Sequence, residues 1–294
     1  MRAVENALRV NQNRRSQLAG TSSRRKLRAA TGETLGRRMQ RWWHRGFRKS
    51  SFSICYGLFL LPVAWVLSLT FFHAFQHAAL DQGLWAQAEF RFFAGGALVW
   101  VLLFFGSIWA TGAPWPLHVY VFGHELTHAV WVWLMFGQVF ERKMWSADGG
   151  YIVTNRSNFI VALAPYFYPL YSLVIIVCYG VASLFYDVAG STGTLLLMTP
   201  LQWLFFLLGV TWSFHLTFTV WMIPKGQTDL STHGTFFSLV VIYLMNLLLL
   251  TVSLIVVAPE ISFASYWVEL RTNAEDLSEW AWKILWAVWL KAFA

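Results

Sequence analysis

The chain has 294 residues, of which 57% are hydrophobic and only 12% are charged. A soluble domain carries about a quarter charged residues, so this composition excludes an ordinary water-soluble globule and points to an integral membrane protein. The net charge of +8 is concentrated at one end, because residues 1–49 hold 14 of the 22 Lys and Arg against two acids, Glu5 and Glu33.

A basic tail lying before an apolar span reads as a topology signal and a contact for anionic lipid, and not as a nucleic-acid-binding fold. It predicts a cytoplasmic N-terminus, with a bacterial inner membrane as the default host. The Arg- and Ser-rich composition also matches an organelle transit peptide. The first apolar run begins near Phe52, too late for a cleaved secretory signal.

About 20 apolar residues cross a hydrocarbon core. Stretches of that kind cover residues 52–73, 92–112, 117–137, 157–186, 194–223 and 234–257. They predict an all-α polytopic membrane protein with about six transmembrane helices. Pro165, Pro169 and Pro200 predict bends in the fourth and fifth stretches. A polar break from Pro224 to Asp229 separates the fifth from the sixth. Farther on, residues 275–293 place Trp282, Trp286 and Trp289 on one helical stripe, as a helix lying in the membrane interface requires. Three segments follow: a basic tail (1–50), a membrane domain (51–260) and a Trp-rich C-terminal segment (261–294). Cys55 and Cys178 both fall in apolar spans and give no disulfide framework.

The chemistry is concentrated in the third stretch, which contains His124-Glu125-Leu126-Thr127-His128. Residues four apart share a helix face, so His124 and His128 aim two imidazoles at one point. Glu125 lies close enough to act on a metal-bound water without being a ligand. This is the H-E-x-x-H arrangement of zinc hydrolases. Ionisable residues inside an apolar span are costly and mark function. Zinc usually takes three protein ligands when it is catalytic, and Asp229, in the break before the sixth stretch, is the candidate third. The same residue also suits a solvated cap at a helix start. His215 and His233 are open to roles as a fourth ligand, a proton shuttle or a packed polar group. His118 and the His73/His77 pair read as interface-facing, and Asn246 as a donor between helices.

With those residues the chain resembles the site-2 protease family of intramembrane zinc metalloproteases. His124, Glu125 and His128 match the first motif of that family. Asp229 takes the place of the Asp in its later Leu-Asp-Gly segment, although Leu230 replaces the glycine and the usual Asn-x-x-Pro lead-in is absent. The resemblance covers residues 117–257 and implies one zinc ion, cleavage of membrane-anchored protein substrates, and a membrane-associated β-hairpin after the third helix that pairs with unwound substrate. Residues 145–154 suit that hairpin. Asp148-Gly149-Gly150 supplies the turn chemistry, and Gly149, Gly150, Tyr151, Ile152 and Val153 are the expected substrate-binding residues.

Two other classes fit parts of the sequence. A membrane di-iron lipid desaturase or hydroxylase would use the two His-x-x-x-His pairs, but the chain lacks the adjacent His-His pairs usual there. A non-catalytic membrane scaffold would keep the metal site as a relic, against which the intact Glu125 argues.

Overall fold

The computed structural model describes residues 51–81, 83–145, 149–258 and 261–293. The basic tail and Ser146, Ala147 and Asp148 of the expected hairpin turn lie outside the described residues. In chain order the elements are α1 (Ser51–Gln76), α2 (Ala88–Thr111), α3 (Leu117–Leu134), β1 (Val139–Lys143), β2 (Tyr151–Thr154), α4 (Phe159–Leu163), α5 (Leu170–Ser183), α6 (Pro200–Met222), α7 (Thr228–Thr232), α8 (Thr235–Val257) and α9 (Phe263–Phe293).

Four segments are long and apolar enough to cross a membrane: Ser53–Leu80, Ala88–Thr111, Pro200–Lys225 and Thr235–Val257. A fifth arises if Phe159–Tyr166 and Leu170–Ser183, bent by 79° at their junction, form one span. This is the build of a multi-pass integral membrane protein. The expectation of about six spans exceeds that number by α3. At 18 residues, α3 is roughly 27 Å long for a rise of 1.5 Å per residue. Its apolar run is interrupted by His118, His124, Glu125, Thr127 and His128. Neighbouring elements cover it instead, burying Tyr120, Val121, Gly123, Glu125, Thr127, His128, Ala129 and Val132.

Two glycines bring α2 and α6 into backbone contact. A Cβ on Gly96 would collide with the Phe206 carbonyl, and one on Gly209 with the Phe93 carbonyl and with the Ala97 nitrogen at 2.9 Å. Small residues at such crossings let membrane helices approach closely, which is where their association energy comes from. The close approach builds an aromatic core of Trp100, Phe104, Tyr120, Val121, Phe214 and Phe218. Tyr120 of α3 stacks on Phe218 of α6, with ring centroids 4.7 Å apart and planes 11° from parallel.

On the other side of the fold α8 packs against α1, where the Ser68 and Tyr243 hydroxyls lie 2.6 Å apart. Helix α9 begins at Phe263, well before the expected 275. Its first half folds back along the end of α1. Glu269 meets His73 at 3.0 Å, Asn273 donates to Thr70 at 2.9 Å, and Tyr266 packs with Ala74, Ala78 and Leu254. Beyond Asn273 the helix is largely exposed, including Trp282, Trp286 and Trp289. Buried polar bonds of the Asn273–Thr70 kind hold the first half to the bundle, and the terminal charge pattern alone did not reveal them.

The small antiparallel sheet follows α3, as expected, but its strands differ from the expected ones. Its first strand is β1, ahead of the expected residues 145–154, and it pairs Glu141 with Val153, Arg142 with Ile152 and Lys143 with Tyr151. The connection is therefore longer than a two-residue turn, and Gly149 sits in it at φ 106°.

The glycine contact is testable by paired substitutions. Gly209→Ala should cost about 1–3 kcal/mol through overpacking, read as a lower thermal midpoint in detergent. Gly95→Ala, where an added Cβ meets nothing within 4 Å, should not lower it.

Candidate metal centre

His124 and His128 of α3 come together with Asp229 of α7. One ligand atom from each lies within 4.8 Å of the other two. The Nε2 atoms of His124 and His128 are 3.4 and 3.6 Å from Asp229 Oδ2. Ligand bonds of about 2.0–2.1 Å in a tetrahedral zinc site imply donor separations of roughly 3.3 Å. The trio therefore fits a metal ion of that size, and two imidazoles with a carboxylate suit zinc chemically.

The other ring nitrogens are tied elsewhere. His128 Nδ1–H donates to the Val161 carbonyl at 2.8 Å, which leaves the Nε2 lone pair of the neutral ring facing the centre. His124 Nδ1 pairs with the Tyr120 hydroxyl at 3.1 Å. Such outer partners set the tautomer and aim the ligand.

Local sequence explains how each ligand is placed. On α3 the i, i+4 spacing puts the histidine rings 4.9 Å apart. Gly123, just before the motif, has no side chain because a Cβ would meet the Tyr171 ring at 2.7 Å. Asp229 reaches the centre through a change of direction after α6. Ile223–Lys225 tightens into a 3-10 turn, and Gly226 adopts φ 78°, a conformation that favours glycine. Leu230, where the resemblance would place glycine, is fully buried. Ser238 donates to its carbonyl at 3.1 Å. The leucine thus anchors α7 in the core.

Burial pushes the Asp229 carboxyl up, but hydrogen bonds and charge from His124 and His128 outweigh it and hold Asp229 below the ordinary carboxylate range.

The trio opens on a cavity of about 310 Å³, lined also by Glu125, Gly149, Gly150, Tyr151 and Ile152. Four of the five expected substrate-binding residues thus reach it. Val153 does not line it and is exposed, whereas Ile152 and Thr154, which share the opposite face of the strand, both do. Thr154 takes its place. Gly150 lies directly over Glu125, and a Cβ there would be 2.8 Å from Glu125 Oε1 and 2.7 Å from the Lys143 carbonyl. No known protein family, curated protein or solved structure matches this chain.

Among the described residues, the other histidines stay outside the trio. His215 and His233 each bury an Nε2 that makes no hydrogen bond, His118 stacks near Trp145 at 5.8 Å, and His73 pairs with Glu269. His124, His128 and Asp229 are the one such group among the described residues. Asn246 bonds between elements as expected, to the Tyr166 carbonyl at 3.0 Å. Sequence reasoning missed Tyr120 and Tyr166. Tyr120 is detectable in principle, since it sits one turn before His124, whereas Tyr166 carries no local signal.

Metal binding should depend on pH in a defined direction. Asp229 stays ionised well below neutrality, so the imidazoles, ordinarily near pKa 6.5, take the competing protons. Zinc affinity measured by chelator competition should therefore fall between about pH 7.5 and 5.5. Equal affinity across that window would contradict histidine ligation. His128→Ala should weaken binding by more than the roughly 10–100-fold typical of losing an outer partner.

Proposed function

We propose that this chain is an intramembrane zinc metalloprotease that hydrolyses peptide bonds in or near the transmembrane segments of membrane-anchored proteins, as the resemblance to the site-2 protease family implies. One observation carries the reading. His124, His128, Asp229 and the buried carboxyl of Glu125 share one cavity, and a β-strand lines its side. In this reading α3 sits at membrane depth as the sixth inserted helix, with its polar face covered by protein.

A zinc ion held by the trio would supply Lewis acidity, lowering the pKa of a water towards 7 and polarising a carbonyl. Glu125 stands outside the ligand set and serves as the proton carrier. It accepts a proton from the attacking water and delivers it to the leaving amine. Polar groups of Thr154, Arg156, Ser157 and Gln227 line the cavity and give water a route inward. A helical amide is shielded by its own hydrogen bonds, so the substrate must be extended to react. Strand β2 belongs to a two-stranded sheet and pairs with β1 on one side. Its other edge has no strand partner among the described residues and suits an extended peptide.

Elemental analysis of the detergent-purified protein should find about one zinc per chain. Glu125→Gln should keep that zinc and lower cleavage of a membrane substrate by roughly 10²–10⁴-fold. A wild-type rate in that variant would refute the mechanism. Iron in place of zinc, with oxygen-dependent lipid products, would establish an oxygenase instead. Gly150→Ala, by pushing on Glu125, should reduce turnover while the zinc content stays at the wild-type level.

A further inference from the structure

Asp229 is carried by a five-residue helix whose N-cap residue, Gln227, makes no side-chain capping bond. A single helical turn does not hold its own shape, because its nucleation cost is not recovered by propagation. Leu230 anchors the backbone but does not orient the carboxylate. The orientation comes from another part of the chain, the bend after α4.

Tyr166 occupies that bend, in the 3-10 turn Ala164–Tyr166, and is fully buried. Its hydroxyl donates to Asp229 Oδ2 at 3.2 Å. Its ring meets His124 edge to face, with centroids 5.3 Å apart and planes at 87°. Its carbonyl accepts the Asn246 amide of α8 at 3.0 Å. One side chain therefore touches two of the three ligands, and its backbone is tied to a long helix. It is absent from the cavity wall, so it does not meet a substrate there.

The geometry points to Tyr166 as the positioning residue of the metal centre: its hydroxyl sets the Asp229 carboxylate and its ring sets the His124 imidazole before metal binds. This rests on the reading of His124, His128 and Asp229 as a metal centre. Oδ2 has lone pairs enough to accept the tyrosine and still face the histidines. Without the hydroxyl, Asp229 Oδ2 keeps only its contacts to the two histidines. Loss of an outer partner of this kind typically weakens metal binding 10–100-fold.

The test uses the full chain in detergent, with zinc affinity read by chelator competition and site geometry read from the visible spectrum of the cobalt(II)-loaded protein. Tyr166→Phe keeps the ring and its packing. It should lower zinc affinity 10–100-fold and alter the cobalt spectrum. The control is Tyr171→Phe, which removes a hydroxyl bonded to the Val119 carbonyl at 2.6 Å and should change neither. Wild-type affinity and spectrum in Tyr166→Phe would overturn the assignment while leaving the metal centre intact. Equal losses in both variants would overturn it too, as general loosening. If the wild type binds no zinc, the metal centre falls and the assignment with it. Should Tyr166→Phe fail to fold, Asn246→Ala releases the Tyr166 carbonyl and keeps the hydroxyl. A smaller loss of zinc affinity there supports the assignment, and unchanged affinity overturns it.

Discussion

The structure depends on one constraint: a carboxylate and two imidazoles must be held together inside a protein built mainly of apolar helices. An ionised carboxylate away from bulk water is tolerated only when hydrogen-bonded or paired. Asp229 meets that condition through the Tyr166 hydroxyl and His124 Nε2, and through His128 when that ring is protonated. Each of those residues needs its own support. The Val161 carbonyl supports His128, Tyr120 supports His124, and Asn246 supports Tyr166. The polar centre is thus a connected network, the condition under which buried polar groups specify a structure instead of weakening it.

The apolar packing serves the same end. Gly96 and Gly209 let α2 and α6 touch, which packs Trp100, Phe104, Phe214 and Phe218 together. That aromatic wall fixes Tyr120 by stacking and so fixes the outer nitrogen of His124. Helix α6 ends in the turn that delivers Asp229. A backbone contact between two long apolar helices is therefore linked, through one tyrosine ring and one helix end, to two members of the candidate centre.

The hairpin adds the remaining element. Its strands lie beside the motif helix, and Gly150 packs over Glu125 with no room for a side chain. A residue that reads as turn chemistry in the sequence is instead required by close approach to the carboxyl group. The same placement brings Tyr151, Ile152 and Thr154 to the cavity, so the proposed proton carrier and the proposed peptide-binding strand are coupled by direct contact.

The sequence by itself determined what short-range periodicity and composition encode. The membrane class follows from long uncharged runs. The pairing of His124 with His128 follows from the helical repeat. The change of direction at Asp229 follows from Pro224 and Gly226. The hairpin was legible from its glycines, although its first strand was not, because Val139–Lys143 is as polar as a loop. Only the tertiary structure decided that neighbouring elements cover the polar face of α3, that α9 starts early and folds onto α1, and that Val153 does not line the cavity. It also decided the centre itself: 105 residues separate His124 from Asp229, and 63 separate Tyr166 from Asp229. No local repeat relates positions so far apart. What joins them is the packing of α6, α8 and the bent α4–α5 segment around one half-buried carboxylate.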